Sequence, residues 1–200
     1  MSKWDEKYAA APDGLFGSEP NLYLCEIAGR PDFKAKTGLC IADGDGRNSR
    51  FLAKRGLAMT AVDLSTVACE NGSWFDADAG VSVERIAGDV TQWRPEAGRF
   101  WDAAFLFYLQ APKAERMAAL ALAYAAVALG GWIVVEGFGK HGGGDQLGPG
   151  QDDLLYSLDE IHAALPDIDV LESLSGLARL DEGGRHQGLG GVVRFAGRKR

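Results

Sequence analysis

A short apolar run, Leu39-Cys40-Ile41-Ala42, opens directly into Asp43-Gly44-Asp45-Gly46-Arg47-Asn48, and a helical pattern begins at Ser49. This passage constrains the fold more than any other. A buried strand hands the backbone to a turn with two glycines, which can adopt conformations closed to other residues and let the main chain approach a ligand. The helix that follows starts with free amide groups facing the same point. A second apolar strand, Met59-Thr60-Ala61-Val62, is closed by Asp63. An acid at that place in a strand-helix-strand unit is positioned to accept hydrogen bonds from ribose hydroxyls.

The alternation continues along the chain. Val81 to Ile86 reads as a strand ending at Gly88-Asp89. Phe100 to Leu109 is almost wholly apolar, as expected of a central parallel strand covered on both faces. Pro112 begins a helix expected to run through Leu129 and stop at Gly130-Gly131, and Trp132 to Glu136 is another buried strand. Strand and helix alternating at this spacing predict an α/β, doubly wound sheet with helices on both faces. The end of the chain departs from it. Val170 to Leu174 and Gly191 to Ala196 are strand-like, and the segment between them leaves no room for a crossover helix. They predict a hairpin and an antiparallel last strand. No repeat or linker interrupts residues 1–200, so one domain is expected, with residues 1–30 as an N-terminal cap segment within it.

Composition removes several classes of function. Lys plus Arg number 21 against 28 Asp plus Glu, a formal charge of −7, which argues against nucleic-acid or anionic-membrane partners. No apolar run approaches the roughly 18 residues of a bilayer span, and the N-terminus shows no signal core, so a cytoplasmic location is expected. Cys25, Cys40 and Cys69 form no CxxC pair, His141, His162 and His186 are widely separated, and HExxH is absent, so no metal site is expected. No GxSxG elbow marks a serine hydrolase. The glycine loop lacks the Walker pattern, and GxGxxG fails at Ser49. Two acids in the loop, Asp43 and Asp45, would repel a pyrophosphate and suit a ligand that is cationic there. S-adenosylmethionine, with a sulfonium, an amino group and a ribose but no phosphate, fits that description.

The chain resembles the class I S-adenosylmethionine-dependent methyltransferases, and among them is similar to the small tellurite-resistance-type group. The likeness rests on Trp4-Asp5-Glu6-Lys7-Tyr8, Phe16 to Asn21, Gly44 to Asn48, Ala61 to Ser65, Gly88-Asp89-Val90, Gly130 to Glu136, Asp153 to Leu158 and Val192 to Ala196. It implies a Rossmann-like seven-stranded sheet in the order 3-2-1-4-5-7-6 and S-adenosylmethionine as cofactor, with S-adenosylhomocysteine (SAH) as product. It further implies that Asp63 holds the ribose, Leu64 packs on the adenine, Asp89 accepts from the adenine amino group and the Val90 backbone reads the ring. The loop Asp43, Gly44, Asp45, Gly46 would lie beneath the methionine part, with Asn48 and Phe107 completing the cofactor set. Two positions depart from the family pattern: Cys40 stands where an acid is usual, and Ala42 where the first glycine is usual.

Methyl transfer from a sulfonium asks mainly that the nucleophile be held in line, with a base only where the acceptor carries a proton. Tyr108 and Gln110 leave the fourth strand beside the expected methyl position. The final hairpin reverses at the same edge of the sheet, which nominates His186 as an acid-base residue and Arg185 as a fork for an anion. The expected catalytic pair is therefore His186 and Tyr108, and the expected acceptor-binding set is Tyr8, Arg47, Gln110 and Arg185. Trp4, Tyr8 and Phe16 are expected to form a lid. The sequence thus reads as a methyltransferase, monomeric or homodimeric, acting on a small molecule such as a chalcogen oxyanion or thiol. Cys40 and Ala42 motivate the alternative of a non-catalytic cofactor-binding protein. A nicotinamide-dependent oxidoreductase is the more distant rival.

Overall fold

A computed structural model of the chain describes residues 2–140, 147–182 and 186–200. Seven strands, β1 (Thr37–Ile41), β2 (Ala58–Asp63), β3 (Val83–Ala87), β4 (Trp101–Phe107), β5 (Val127–Phe138), β6 (Ile168–Glu182) and β7 (His186–Lys199), form one sheet. Their order is β3-β2-β1-β4-β5-β7-β6. β1 to β5 run parallel, and β7 runs antiparallel to both β5 and β6. This is the expected doubly wound sheet and its closing hairpin.

The two-residue period of the strands splits the core between the faces of the sheet. Leu39, Ile41, Val62, Leu106, Val135 and Phe195 pack beneath α5 (Lys113–Ala126) and α6 (Leu158–Ala164). Cys40, Ala61, Phe105, Val134 and Ala196 face the other way, against α2 (Leu22–Ala28) and α3 (Arg47–Lys54). Fully burying a Leu or Ile contributes about 1.5–3 kcal/mol, which is why the strands tolerate so few polar residues. α1 (Lys3–Ala9) packs on α4 (Thr66–Asp78), with Tyr8, Leu15 and Ala68 between them. Ser2 and Asp5 close a reciprocal capping box on α1, and Asp5 Oδ1 also accepts from Ser65 Oγ at 2.7 Å. The N-terminal segment is thereby fastened to the end of β2.

Two boundaries differ from expectation. α5 stops at Ala126 and β5 begins at once, because Val127 pairs with Trp101 across a bulge. Gly130 then sits inside the strand at φ +79°, and a Cβ on Gly131 would come within 2.8 Å of the Asp102 carbonyl. Those glycines serve strand packing and do not stop the helix. The hairpin strands are also longer than expected. β6 and β7 remain paired from Leu177↔Gly191 to Glu182↔His186, past the last β5–β7 pair at Phe138↔Val192.

Candidate active site

The carboxyl ends of β1, β2 and β4 meet at a cavity of about 270 Å³. The turn after β1 makes its floor. Ala42, Gly44 and Gly46 all take left-handed backbone conformations, with φ of +56°, +60° and +87°. At Gly44 the bare Cα is obligatory, since a Cβ would lie 2.2 Å from the Tyr8 hydroxyl. Ala42, where the family pattern has glycine, carries the strain of a side chain in that region. Asp63 closes β2 and stitches the floor together, with Oδ2 accepting from Gly44 N at 2.7 Å and Oδ1 from Ser65 N at 2.9 Å. Burial lifts the Asp63 pKa from 3.8 to about 6, against the pull of those two hydrogen bonds, and Asp43 and Asp45 add to the rise. The same three carboxylates, after burial itself, hold the Tyr8 phenol well above its ordinary range.

The loop acids do not face a ligand in the way expected. Asp43 Oδ2 accepts from Ser49 Oγ at 2.5 Å and pairs with Arg85 at 3.1 Å, and its side chain is 2% exposed. Arg85 also binds Asp76 at 2.7 Å, and Asp76 pairs with Arg50 at 3.2 Å. Asp45 Oδ2 accepts from Leu15 N at 2.9 Å, which ties down the N-terminal segment. What Asp43 offers the cavity is therefore backbone. A Cβ on Gly46 would fall 1.9 Å from Arg85 Nη2, so this glycine clears space for the ion pair and does not line the cavity. The acidic loop therefore does not by itself call for a cationic ligand, a correction to the expectation from sequence. Two guanidinium groups, Arg50 and Arg85, lie within reach of these acids, and spacing alone could not show them.

Arg47 and Asn48 line the cavity, yet both hydrogen-bond to the N-terminal segment. Arg47 donates to the Glu19 carbonyl at 3.0 Å, and Asn48 Oδ1 accepts from Asn21 N at 2.9 Å. Asn21, fully buried, caps α2 through Leu24 N and donates from Nδ2 to Glu136 Oε1 at 2.7 Å. Glu136, also fully buried, is held by Arg194. Sequence reading missed Asn21, Glu136 and Arg85. Long-range polar partners leave no local pattern.

Leu64, about half exposed, stands at the rim beside Asp89 and Val90. Asp89 Oδ1 accepts from Thr91 N and Thr91 Oγ1, both at 2.8 Å, and Oδ2 stays free among the described residues. Phe107, stacked on Phe105 with ring centroids 6.5 Å apart, leads into Tyr108 and Gln110 on the opposite wall. Tyr108 sits at φ +53°, its ring edge-on to Phe138. Trp4, Tyr8 and Phe16 line the cavity, as do Cys40, Leu109, Ala111, Pro112 and Glu115.

His186 lies six residues beyond Val192 along β7. At about 3.3 Å per residue that is about 20 Å past the last pairing with β5. Arg185, His141 and the His186 side chain lie outside the described residues. His162 is exposed on α6 and contacts Ser173 at 3.0 Å, away from the cavity.

Residues 39–131 match a methyltransferase domain family. The match spans the glycine loop, Asp63, Asp89 and the wall from Phe107 to Glu115 in one stretch, so the cavity is lined largely by the matched residues. TehB from Haemophilus influenzae superposes with a TM-score of 0.71 at 12% identity over 89% of this chain, which spans 62% of that protein's length. A structure described as the conversion of a disulfide bond into a thioacetal group during echinomycin biosynthesis gives 0.73 at 16% identity, over 98% of this chain and 91% of that one. Magnesium protoporphyrin IX methyltransferase from Synechocystis, with bound SAH, gives 0.67 at 11% identity, over 89% and 80%. No curated protein matches the chain. At these identities the likeness is one of fold, and the fold is that of the methyltransferases.

Proposed function

We propose that this chain transfers a methyl group from S-adenosylmethionine to a small-molecule acceptor. One observation carries the reading: Asp63 and the bare Gly44 share a hydrogen bond at one end of a cavity whose other end is the aromatic exit of β4. The residues fit such a cofactor. The Tyr8 hydroxyl makes no hydrogen bond among the described residues although Tyr8 is 4% exposed, and it hangs over Gly44, where a Cβ would lie 2.2 Å from it. Each Asp63 oxygen accepts a single backbone N–H and retains a lone pair for a ribose hydroxyl. Asp89 Oδ2 is free for an exocyclic amine, and Leu64 and Val90 provide apolar surface for a purine.

When bound, the sulfonium supplies an activated methyl group with a neutral thioether as leaving group. The protein's part is to hold and to exclude. Trp4, Tyr8 and Phe16 keep water from the cavity, and the Asp5–Ser65 hydrogen bond keeps α1 in place. Phe107 and Tyr108 orient the acceptor, an arrangement that acts by proximity, and Gln110 offers it an amide. The resemblance in sequence adds two finer acceptor classes, a chalcogen oxyanion and a thiol. A single domain with residues 1–30 as its cap, a cytoplasmic setting and a monomer or homodimer belong to the same proposal. No helix among the described residues is long and apolar enough to cross a membrane.

The non-catalytic alternative has its own support, since Ala42 strains the loop. Calorimetric titration with S-adenosylmethionine, SAH and NAD, followed by detection of SAH release over an acceptor panel, tests the proposal. Binding of both sulfur ligands without NAD, together with SAH release, is expected. Binding without release on any acceptor would favour the non-catalytic reading, and binding of NAD alone would overturn both.

A further inference from the structure

Within the methyl-transfer reading, on which this step rests, we infer that the acceptor is an uncharged nitrogen heteroaromatic that leaves as an N-methyl cation. The first ground is charge. Behind the glycine loop, Arg85 and Arg50 are matched by Asp43 and Asp76. In the cavity wall Arg47 stands against Asp45, and Asp63, Asp89 and Glu115 have no lining cation to answer them. Arg47 itself is 7% exposed and donates to the Glu19 carbonyl. Among the described lining residues there is no lysine and no histidine. Burial chiefly raises the Asp63 pKa, and the neighbouring Asp43 and Asp45 add to the rise. An oxyanion entering this cavity meets repulsion, whereas a cation formed within it is stabilised.

The second ground is the wall. Phe16, Phe107 and Tyr108 surround the acceptor end, and flat apolar walls of this kind select a planar ring and stabilise a positive charge on it. Lys7 covers one face of Trp4 at 3.9 Å, so Trp4 contributes less. The third ground is the absence of a base where one would be needed. Tyr108 and Gln110 leave β4 there as a phenol and an amide, and Glu115 is exposed at the mouth. An acceptor with a ready lone pair requires no base. The ring nitrogen forms the new bond to the methyl carbon, the carbon–sulfur bond breaks with its electron pair kept by sulfur, and no proton leaves. The positive charge passes from the sulfonium to the ring nitrogen and stays within the acidic cavity.

The test titrates the full chain, alone and saturated with SAH, with isoquinoline, N-methylisoquinolinium, benzoate and selenite at pH 7.5, where isoquinoline is uncharged. Isoquinoline and its N-methyl cation are expected to bind at least about tenfold more tightly than benzoate, and selenite to give no heat. Gln110→Trp, which fills the acceptor end, is expected to remove isoquinoline binding and retain SAH binding. Benzoate or selenite binding as tightly as isoquinoline would overturn the inference. So would isoquinoline binding that ignores Gln110→Trp, or no binding by any probe. If SAH itself fails to bind, the methyl-transfer reading falls, while the ranking of the same probes on the unliganded protein still decides the charge preference.

Discussion

Replacing Asp63 by asparagine isolates the charge that the cavity concentrates. The Asp63 carboxyl has a pKa of 3.8 in an ordinary setting and about 6 in the fold, raised chiefly by burial. Below pH 3.8 the group is protonated in both the folded and unfolded chain and contributes nothing. Between pH 3.8 and 6 the folded chain holds the proton that the unfolded chain has released, so stability falls as pH rises. Above pH 6 both forms are ionised and the destabilisation is complete. At about 1.4 kcal/mol per pH unit, the interval corresponds to about 3 kcal/mol. An asparagine carries no charge, although its amide cannot accept from both Gly44 N and Ser65 N, and that loss costs about 1–3 kcal/mol at every pH. The absolute stability of Asp63→Asn is thus a balance, but its difference from the wild type should shift by about 3 kcal/mol in favour of the variant between pH 4 and pH 7. Urea unfolding at a series of pH values measures this, and a difference that stays flat across the range would refute the reasoning. Because the ionised form accepts hydroxyl hydrogen bonds, S-adenosylmethionine binding by the wild type should weaken below about pH 6.

Gly44→Ala should displace the Tyr8 phenol and abolish cofactor binding in a calorimetric titration, and adding Tyr8→Phe should restore part of it, because the clash is with the hydroxyl. Ala42→Gly should stabilise the protein by about 1 kcal/mol in urea unfolding, since glycine is at ease at φ +56°. Asp5→Ala should free α1 from Ser65, speed tryptic cleavage at Lys3 and Lys7, and raise the Kd for S-adenosylmethionine. Hydrogen bonds, above all from Ser65, lower the Asp5 pKa to about 2, so its stabilisation is present above pH 3.8 and is lost as pH falls through about 2. Acid titration of α1 release, followed by Trp4 fluorescence, checks that window.

The sequence by itself determined the sheet and the place of the site. Periods of two and of three to four residues are local properties, so β1, β2 and β4 and the helices between them were legible from residues that read only their neighbours. The glycines and Asp63 were legible for the same reason, because a turn after a strand has its own local chemistry. Tertiary structure alone decided which acids are spent. Asp43 and Asp76 look like Asp63 and Asp89 in sequence, and only the approach of Arg85 from β3 and Arg50 from α3 neutralises the first pair and leaves the second facing the cavity. It decided too that Arg47 and Asn48 fasten the N-terminal segment, through partners more than 20 residues distant. The end of α5 followed the same logic, since the pairing of Val127 with Trp101 overrode an alanine-rich pattern that reads as helix through Leu129. The hairpin runs on past the last β5 pairing because strand length is set by pairing across the sheet. Local pattern fixes where a backbone can turn. Which charges cancel depends on Coulomb interactions between residues far apart in the chain, and those are decided only when the chain has closed.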